Sequence, residues 1–232
     1  NQILTLATHV RNAIISGKKL RPVDLSEFEG PRSVWHLSPQ GFTTRLQKAA
    51  QRGFENCRAI AWRNRTVNEL NAIVRSELYG NQVGTWEVGD NIVVTEPIGE
   101  GVHTLATIDD EGVVVSVDVG VDQGTKLDCY FLNVRMENGM TLKLRVIHEN
   151  SERDFSRLLG DLATAARKPG QQRKWREFWE IKNRFNSIRH SYAITAHRAQ
   201  GSTFLTTFVD AGDILSNPDR DTAYRCLYVA LS

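Results

Sequence analysis

The feature that most constrains the fold is a change of pattern in the middle of the chain. An apolar run from Cys57 to Trp62 is followed by a polar turn and an amphipathic segment from Val67 to Tyr79, which is typical of a strand and a helix in a parallel α/β sheet. Between about residues 83 and 146, short β-type runs alternate with Gly, Asp and Asn turns, a pattern typical of antiparallel strands. Because the first pattern returns at Ser191, the sequence predicts an α/β domain interrupted by a small antiparallel β-barrel.

Helix signals precede the first strand. Apolar residues at three- and four-residue spacing predict a helix from Gln2 to Ile15. Ser38 and Pro39 predict a second helix start, with serine as the N-cap and proline in the first turn. We expect that helix to run to about Gln51.

Further elements are predicted on both sides of the barrel. Ser33–Leu37 is typical of a short strand, and Thr66 with Glu69 fits a capping box at the start of a helix from Val67. Two helices are expected after the barrel, at residues 151–167 and 171–186. Apolar side chains recur at helical spacing in the second one, which favours packing over stacking on bases; they are Trp175, Phe178, Trp179, Ile181 and Phe185.

The composition is that of an ordinary folded domain. With 232 residues, 41% of them apolar and 24% charged, the chain can bury one core, or one core with a small inserted domain. No apolar run approaches the roughly 18 residues needed to cross a bilayer, and no secretory signal opens the chain. We therefore expect a cytoplasmic protein without a membrane partner. Three widely spaced cysteines predict reduced thiols and no metal site.

Charge gives only a weak indication of a partner. A net charge of +2 is too small for nucleic-acid binding through a general basic field, so any such contact must be local. Basic residues do outnumber acidic ones between Arg167 and Arg198. A solvated helical face would produce the same cluster.

The residues from Ala196 to Thr203 form a notably polar turn. They follow the strand pattern of residues 192–195 and precede a second one, 205–209. Thr195 and Ser202 can donate hydrogen bonds to phosphate oxygens, and Gly201 lets a backbone N–H approach closely. Parallel sheets place ligands at the carboxyl ends of their strands. The turn is therefore a candidate anion site, and the alternative is a plain polar surface turn.

Three segments resemble motifs of a known family. Residues 195–203, with the sequence TAHRAQGST, resemble the fifth motif of superfamily 1 DNA helicases of the RecD/Dda branch, which moves 5′ to 3′. Residues 226–232 resemble the sixth motif. Residues 59–64, with Asn68, Leu70 and Asn71 beyond them, resemble the fourth. Residues 88–97 resemble the start of the SH3-like insertion of that branch, and residues 175–179 resemble the helical segment before the fifth motif. The motifs occur in the family's order, and the resemblance is strongest to Dda-type helicases.

The resemblance implies an α/β fold with a defined domain order. A RecA-like parallel sheet, the second motor domain (2A), would carry an inserted SH3-like antiparallel β-barrel (2B) and a helical pair. Its first part would be residues 1–82 and its second part residues 188–232. The SH3-like insertion would be residues 83–148, and the helical segment would be residues 149–187.

The resemblance also implies roles for individual residues. Those implied to contact a single DNA strand are Asn64, Thr195, His197 and Ser202. Those implied to couple ATP hydrolysis to movement along DNA are Gln200, Gly201 and Tyr228.

Parts of such a motor are missing from the sequence. It contains no Gly-x-x-x-x-Gly-Lys-Ser/Thr phosphate loop and no Asp-Glu pair after an apolar strand. ATP and Mg²⁺ would therefore be bound mainly by an N-terminal RecA-like domain of the same polypeptide. The chain opens at Asn1 and stops at Ser232, where the sixth motif would continue with an arginine. We expect an excised piece that holds no catalytic residue and hydrolyses no ATP alone.

Three functions are compatible with these patterns. The first is the C-terminal motor domain of an ATP-dependent 5′ to 3′ DNA helicase, whose partners are single-stranded DNA and other replication or repair proteins. The second is the helicase part of a RecD-like exonuclease or relaxase complex. The third is a non-motor module that binds DNA or protein through its barrel. A phosphate loop and an Asp-Glu motif encoded upstream would favour a motor.

Overall fold

The computed structural model describes residues 2–21, 34–99 and 101–232. The chain divides into two compact units. The α/β unit comprises Asn1–Val83 and Ser191–Ser232, and the β-rich unit comprises Gly84–His190. One stretch of chain is therefore inserted between two halves of an α/β domain.

The α/β unit has a three-stranded parallel sheet in the order β7-β1-β8. Elements are numbered along the whole chain. The strands of this unit are β1 (Cys57–Ala61), β7 (Ala193–Thr195) and β8 (Thr206–Val209). Its helices are α1 (Gln2–Ser16), α2 (Pro39–Ala50), α3 (Asn64–Tyr79), α6 (Ala211–Leu215) and α7 (Arg220–Leu231). The predicted parallel α/β architecture is confirmed.

Two hydrophobic clusters cover the two faces of this sheet. Successive side chains of a strand point to opposite faces. Ile60 and Ile194 accordingly pack with residues of α1, α6 and α7. Ala59, Ala61 and Ala193 pack with residues of α2 and α3. The alanines of β1 and β7 thus lie under one helical layer, and the larger isoleucines lie under the other.

The β-rich unit is built around a five-stranded antiparallel sheet in the order β5-β4-β3-β2-β6. Its strands are β2 (Asn91–Val94), β3 (Glu111–Val121), β4 (Asp128–Met136), β5 (Thr141–Ile147) and β6 (Ile188–His190). A bulge shifts the register of β3 between Val114 and Ser116. Its helices are α4 (Glu152–Ala166) and α5 (Arg173–Lys182), with short 3-10 turns at Gly101–His103 and Glu149–Ser151. The predicted antiparallel insertion is confirmed.

A buried carboxylate joins the sheet of the β-rich unit to the chain beyond α5. The Asp122 side chain is 1% exposed and pairs with the Nη1 atoms of Arg145, at 2.5 Å, and Arg184, at 3.2 Å. Burial alone raises the pKa of this carboxyl, but hydrogen bonds from Thr125 and the two guanidinium charges outweigh burial and lower it. Asn186 adds a backbone link, because its N donates to Arg145 O at 2.6 Å and its Oδ1 accepts from Arg145 N at 2.9 Å.

Of two local predictions before α2, the strand at Ser33–Leu37 is wrong where the structure describes it, and the Ser38 cap is confirmed. Val34–Leu37 form no strand, and Ser33 lies outside the described residues. Val34 N instead donates to the Gln2 side chain, and the Arg45 guanidinium lies 4.2 Å from the centre of the Trp35 ring. Ser38 does cap α2, since its hydroxyl accepts from Gly41 N.

The capping box predicted at Thr66 and Glu69 is also absent. Helix α3 begins at Asn64, its N-cap Arg63 makes no side-chain cap hydrogen bond, and Glu69 pairs with Arg65. Thr66 Oγ1 donates to a carboxylate from α6, Asp213. A charge from a distant element therefore takes the place of the local box.

The helix predicted for residues 171–186 is shorter, and its aromatic side chains are only partly packed. It ends at Lys182, because the chain then turns to the edge of β5. Phe185 is buried against Phe155, but Trp179 is 50% exposed. Among the described residues, no helix has the length and apolar character needed to cross a membrane.

Candidate functional site

The register of the parallel sheet places the ends of β1 and β7 side by side, and a polar turn follows each of these strands. Ala61, the last residue of β1, is paired with Thr195, the last residue of β7. Ala196 N donates to Ala61 O at 2.8 Å, which continues the pairing into the turn. Asn64 opens α3 just beyond β1. Asn64 and Thr195 therefore both lie at the carboxyl edge of the sheet, where parallel sheets bind their ligands.

The turn after β7 is anchored by two alanines and exposes its polar side chains. Ala196 and Ala199 are buried in the core beneath α7. Thr195 O accepts from the N atoms of Arg198 and Ala199, and Ser202 N donates to Ala199 O. The side chains that the sequence analysis selected are partly or fully exposed: Thr195 is half-buried, whereas His197, Gln200 and Ser202 are exposed.

Gly201 allows this turn to close. Its φ of 84° lies in the left-handed region, where a residue with a Cβ is strained. A Cβ placed on Gly201 would meet nothing within 4 Å. The requirement for glycine here is therefore conformational, and the space beside it is open.

Strand β7 lies at an edge of the sheet, and Asn71 satisfies its outer backbone groups. Ala193 N donates to Asn71 Oδ1 at 2.9 Å, and Asn71 Nδ2 donates to Ala193 O at 3.2 Å. The same Nδ2 also donates to Val67 O within α3. Asn71 is 5% exposed. The side-chain amide thus replaces a neighbouring strand and ties α3 to the strand that leads into the turn.

A buried carboxylate fixes the other strand end. Asp213 Oδ2 accepts from Trp62 N at 2.7 Å and Arg63 N at 2.9 Å, while its Oδ1 accepts from Arg63 Nε at 2.5 Å and Thr66 Oγ1 at 2.7 Å. Burial alone raises the pKa of Asp213, but these hydrogen bonds outweigh it and hold the pKa below its ordinary value. The carboxylate also lies at the N-terminus of α3, where negative charge is favoured.

Helix α7 closes the site from below. Asp219 caps its N-terminus, and Cys226, Leu227 and neighbouring residues pack into the core shared with β1 and β7. Tyr228 is partly buried against that core. Cys226 Sγ lies 3.8 Å from His197 Nε2. Helix α7 therefore contacts the turn after β7 through a side chain that was not predicted as a site residue.

Three residues that hold parts of the site were not predicted from the sequence as site residues: Asp213, Asn71 and Cys226. Only an indirect signal was present for Asp213, because Asp210 and Asp213 follow an apolar strand at the spacing of a helix N-cap, and Asp213 N does donate to Asp210 Oδ1. Asn71 was noted only within the fourth-motif resemblance. Nothing in the sequence linked Cys226 to His197.

The basic cluster between Arg167 and Arg198 is partly neutralised. Several of its cations form ion pairs: Lys174 with Glu177, Arg176 with Glu180, Lys182 with Glu96 and Arg184 with Asp122. The cluster thus carries less available positive charge than its sequence indicates. Residues 2–21, 34–99 and 101–232 contain no group of three or more His, Cys, Asp or Glu side chains suited to a metal ion.

Two segments of the chain match known families of helicase domains. Residues 190–232 match the UvrD-like helicase C-terminal domain, and residues 99–190 match the Dda helicase SH3 domain. The resemblance to superfamily 1 DNA helicases of the RecD/Dda branch, with an SH3-like insertion, is confirmed.

One curated relative extends this match to nearly the whole chain. The chain is 24% identical to the ATP-dependent DNA helicase dda of Enterobacteria phage T4, in an alignment that covers 99% of the chain. The chain spans 56% of the length of that relative. The match therefore concerns a DNA helicase domain.

Proposed function

We propose that this chain is the C-terminal motor domain of an ATP-dependent DNA helicase, which grips single-stranded DNA and moves along it 5′ to 3′. The observation that carries the proposal is the register of β1 and β7. It brings Asn64 and Thr195 to one edge of the sheet, beside the exposed turn that carries His197. The matches to helicase domains on both sides of residue 190 support the class of activity.

The exposed polar groups of the edge suit a nucleic-acid backbone. The hydroxyls of Thr195 and Ser202 and the amide of Asn64 can donate to phosphate oxygens, and such contacts position a strand without reading its sequence. The His197 ring adds a donor or an acceptor at the same turn. We infer that these four residues contact the strand.

We propose that three residues couple DNA binding to the nucleotide: Gln200, Gly201 and Tyr228. Gln200 and Gly201 lie in the same turn as His197, and Tyr228 lies on the helix that packs beneath it. A shift of α7 would therefore reach the turn through its buried alanines. In superfamily 1 helicases a nucleotide lies between two RecA-like domains, so this coupling needs the other domain.

ATP and Mg²⁺ are proposed to bind mainly to an N-terminal RecA-like domain of the same polypeptide. The chain lacks a phosphate loop, whose lysine and hydroxyl hold the phosphates and the magnesium ion. The described residues offer no alternative cluster of metal ligands. What this half supplies is the DNA-gripping edge and the helix beneath it. We expect the isolated chain to show no DNA-stimulated ATP hydrolysis, and measurable hydrolysis would contradict this assignment.

The central test removes the imidazole from the site. In a polypeptide that carries both motor domains, His197→Ala should weaken binding to a fluorescent oligonucleotide about tenfold, the equivalent of about 1.4 kcal/mol. His103→Ala is the matched control, because His103 is also exposed but lies in the β-rich unit. Equal affinities for the two variants would refute the role of His197.

Direction of movement needs a separate measurement. Duplexes with a single 5′ tail or a single 3′ tail should be unwound differently, and we expect activity on the 5′-tailed substrate. Unwinding of only the 3′-tailed duplex would reverse the proposed polarity. If the polypeptide with two motor domains unwinds neither duplex, the result would favour a DNA-binding module without motor activity.

A further inference from the structure

The contact between Cys226 and His197 joins a buried group to an exposed one. Cys226 is 5% exposed and packs in the core of the α/β unit, whereas the His197 side chain is exposed. The distance between Cys226 Sγ and His197 Nε2 is 3.8 Å, which is within the usual range for a hydrogen bond that involves sulfur. The thiol thus supports one nitrogen of the ring from below.

The position of the thiol is set by helix α7. Ala223, Cys226, Leu227 and Ala230 recur at three- and four-residue spacing and are all buried on the same face. The turn is held against that face by Ala196 and Ala199. Packing therefore fixes the Cys226 side chain and the backbone of the turn on either side of His197.

The chemistry of the two groups allows the thiol to donate this hydrogen bond. Burial raises the pKa of the Cys226 thiol, so the sulfur keeps its proton at neutral pH. A thiol with a proton is a weak donor, and a neutral imidazole has one nitrogen that donates and one that accepts. If the thiol donates, Nε2 must be the accepting nitrogen. The ring proton then resides on Nδ1, which has no hydrogen-bond partner within the described residues.

We propose that Cys226 is a positioning residue for His197, which fixes the ring and holds the neutral imidazole with its proton on Nδ1. The exposed turn then presents an N–H donor to its ligand. A donor suits phosphate oxygens and the acceptor groups of bases, whereas a bare nitrogen would repel a phosphate. The functional half of this inference rests on the proposed function, in which His197 contacts single-stranded DNA.

The state of the ring can be read directly by NMR. The chain contains six histidines, so selective ¹⁵N-histidine labelling and a long-range ¹H–¹⁵N spectrum at pH 8 would resolve each ring. An ordinary imidazole is neutral at that pH, and its bare nitrogen resonates far downfield of the nitrogen that carries hydrogen. In solution the Nε2–H form is the commoner one. We expect the opposite form for His197, with a bare Nε2.

Two substitutions test whether the thiol is the cause. Cys226→Ala removes the sulfur, and Cys226→Val removes the donor while it keeps most of the volume. Both should move the His197 signals toward the Nε2–H form. Cys57→Ala is the matched control, because Cys57 is a partly buried thiol of the same unit, and it should leave the His197 signals unchanged.

The outcomes separate this inference from the proposed function. An Nε2–H ring in the unsubstituted chain would overturn the inference, whether or not the variants fold. An unchanged His197 tautomer in both Cys226 variants would also overturn it. If the tautomer behaves as expected, Cys226→Ala should weaken binding of single-stranded DNA about fivefold in the two-domain polypeptide. If the tautomer shifts but His197→Ala binds DNA normally, the contact stands and the proposed DNA role of His197 fails.

Discussion

Replacement of Asp213 is the sharpest test of how the site is held together. Its buried carboxylate accepts four hydrogen bonds from three residues at the carboxyl end of β1 and the start of α3. Asp213→Ala removes both acceptor oxygens, and with them all four hydrogen bonds, and leaves the amides of Trp62 and Arg63 without this partner. Asp213→Asn keeps the shape but turns an amide group toward some of the donors. The two variants therefore remove different amounts of the same interaction.

The magnitude follows from which donors can find another partner. Arg63 has a side chain that is 56% exposed, so its guanidinium can return to water and loses little. The Thr66 hydroxyl can rotate to accept from an asparagine amide. The two backbone amides still meet an oxygen in Asp213→Asn, but that oxygen carries no charge. A hydrogen bond to a charged group contributes about 1.5 to 3 kcal/mol, whereas a neutral one contributes about 0.5 to 1.5 kcal/mol. We expect a loss of about 2 kcal/mol for Asp213→Asn and about 3 to 5 kcal/mol for Asp213→Ala.

Urea unfolding followed by pulsed hydrogen exchange and mass spectrometry would measure these losses for each unit separately. With an m-value of about 2 kcal/mol/M, Asp213→Asn should lower the midpoint of the α/β unit by about 1 M. The urea midpoint of the β-rich unit should not change. Asp221→Asn is the control, because Asp221 makes an exposed i,i+4 pair with Arg225 and should cost less than about 1 kcal/mol. A shift below about 0.3 M for Asp213→Asn would refute the reasoning.

Three further expectations follow from the same structure. The pKa values of Asp213, Asp122 and Glu149 are all lowered, so the unfolded chain takes up these protons first as pH falls. The stability they provide is therefore present above the ordinary carboxyl pKa of about 4 and is lost as pH falls through the lower folded-state values. In Asp213→Asn, the urea midpoint of the α/β unit should therefore fall less steeply with decreasing pH than in the unsubstituted chain. Asn71→Leu leaves the Ala193 N–H and C=O unpaired and should cost about 1 to 3 kcal/mol, with faster exchange at Ala193, whereas Asn68→Leu on the exposed face of α3 should change little. Gly201→Ala places a Cβ on a residue with positive φ and should cost about 1 kcal/mol. Gly160→Ala lies inside α4, where a Cβ meets nothing within 4 Å, and should stabilise the chain by about 0.5 to 1 kcal/mol. In thermal unfolding, the first variant should therefore lower the Tm and the second should raise it.

Local patterns were sufficient to predict the main elements. The apolar runs that became β1 and β7 and the Ser38 cap of α2 depend on residues a few positions apart, and each is found where the sequence placed it. The change from helical to alternating periodicity also located the antiparallel sheet of the β-rich unit. Such signals work because secondary structure has a short repeat.

The polar contacts of the site could not be predicted in the same way. Asp213 and Trp62 are 151 positions apart, and Asn71 and Ala193 are 122 apart. The failed capping box at Thr66 shows the consequence, because its hydroxyl had two possible partners and the distant one was the buried carboxylate. A sequence pattern predicts only partners that are near in the chain. A buried carboxylate needs hydrogen-bond donors, and it takes them from residues that the fold brings close, however distant they are in sequence.

These long-range contacts together determine how the edge can work. Asp213 holds the end of β1, Asn71 holds the edge of β7, and Cys226 supports the ring of His197. Each comes from a different helix, so the end of β1, strand β7 and the exposed turn are each held by a separate contact. A surface that is already ordered loses little side-chain and loop entropy when a ligand binds. In the proposed function, more of the contact energy would then remain for binding a DNA strand, and a movement of α7 would reach the turn through packed alanines and a thiol.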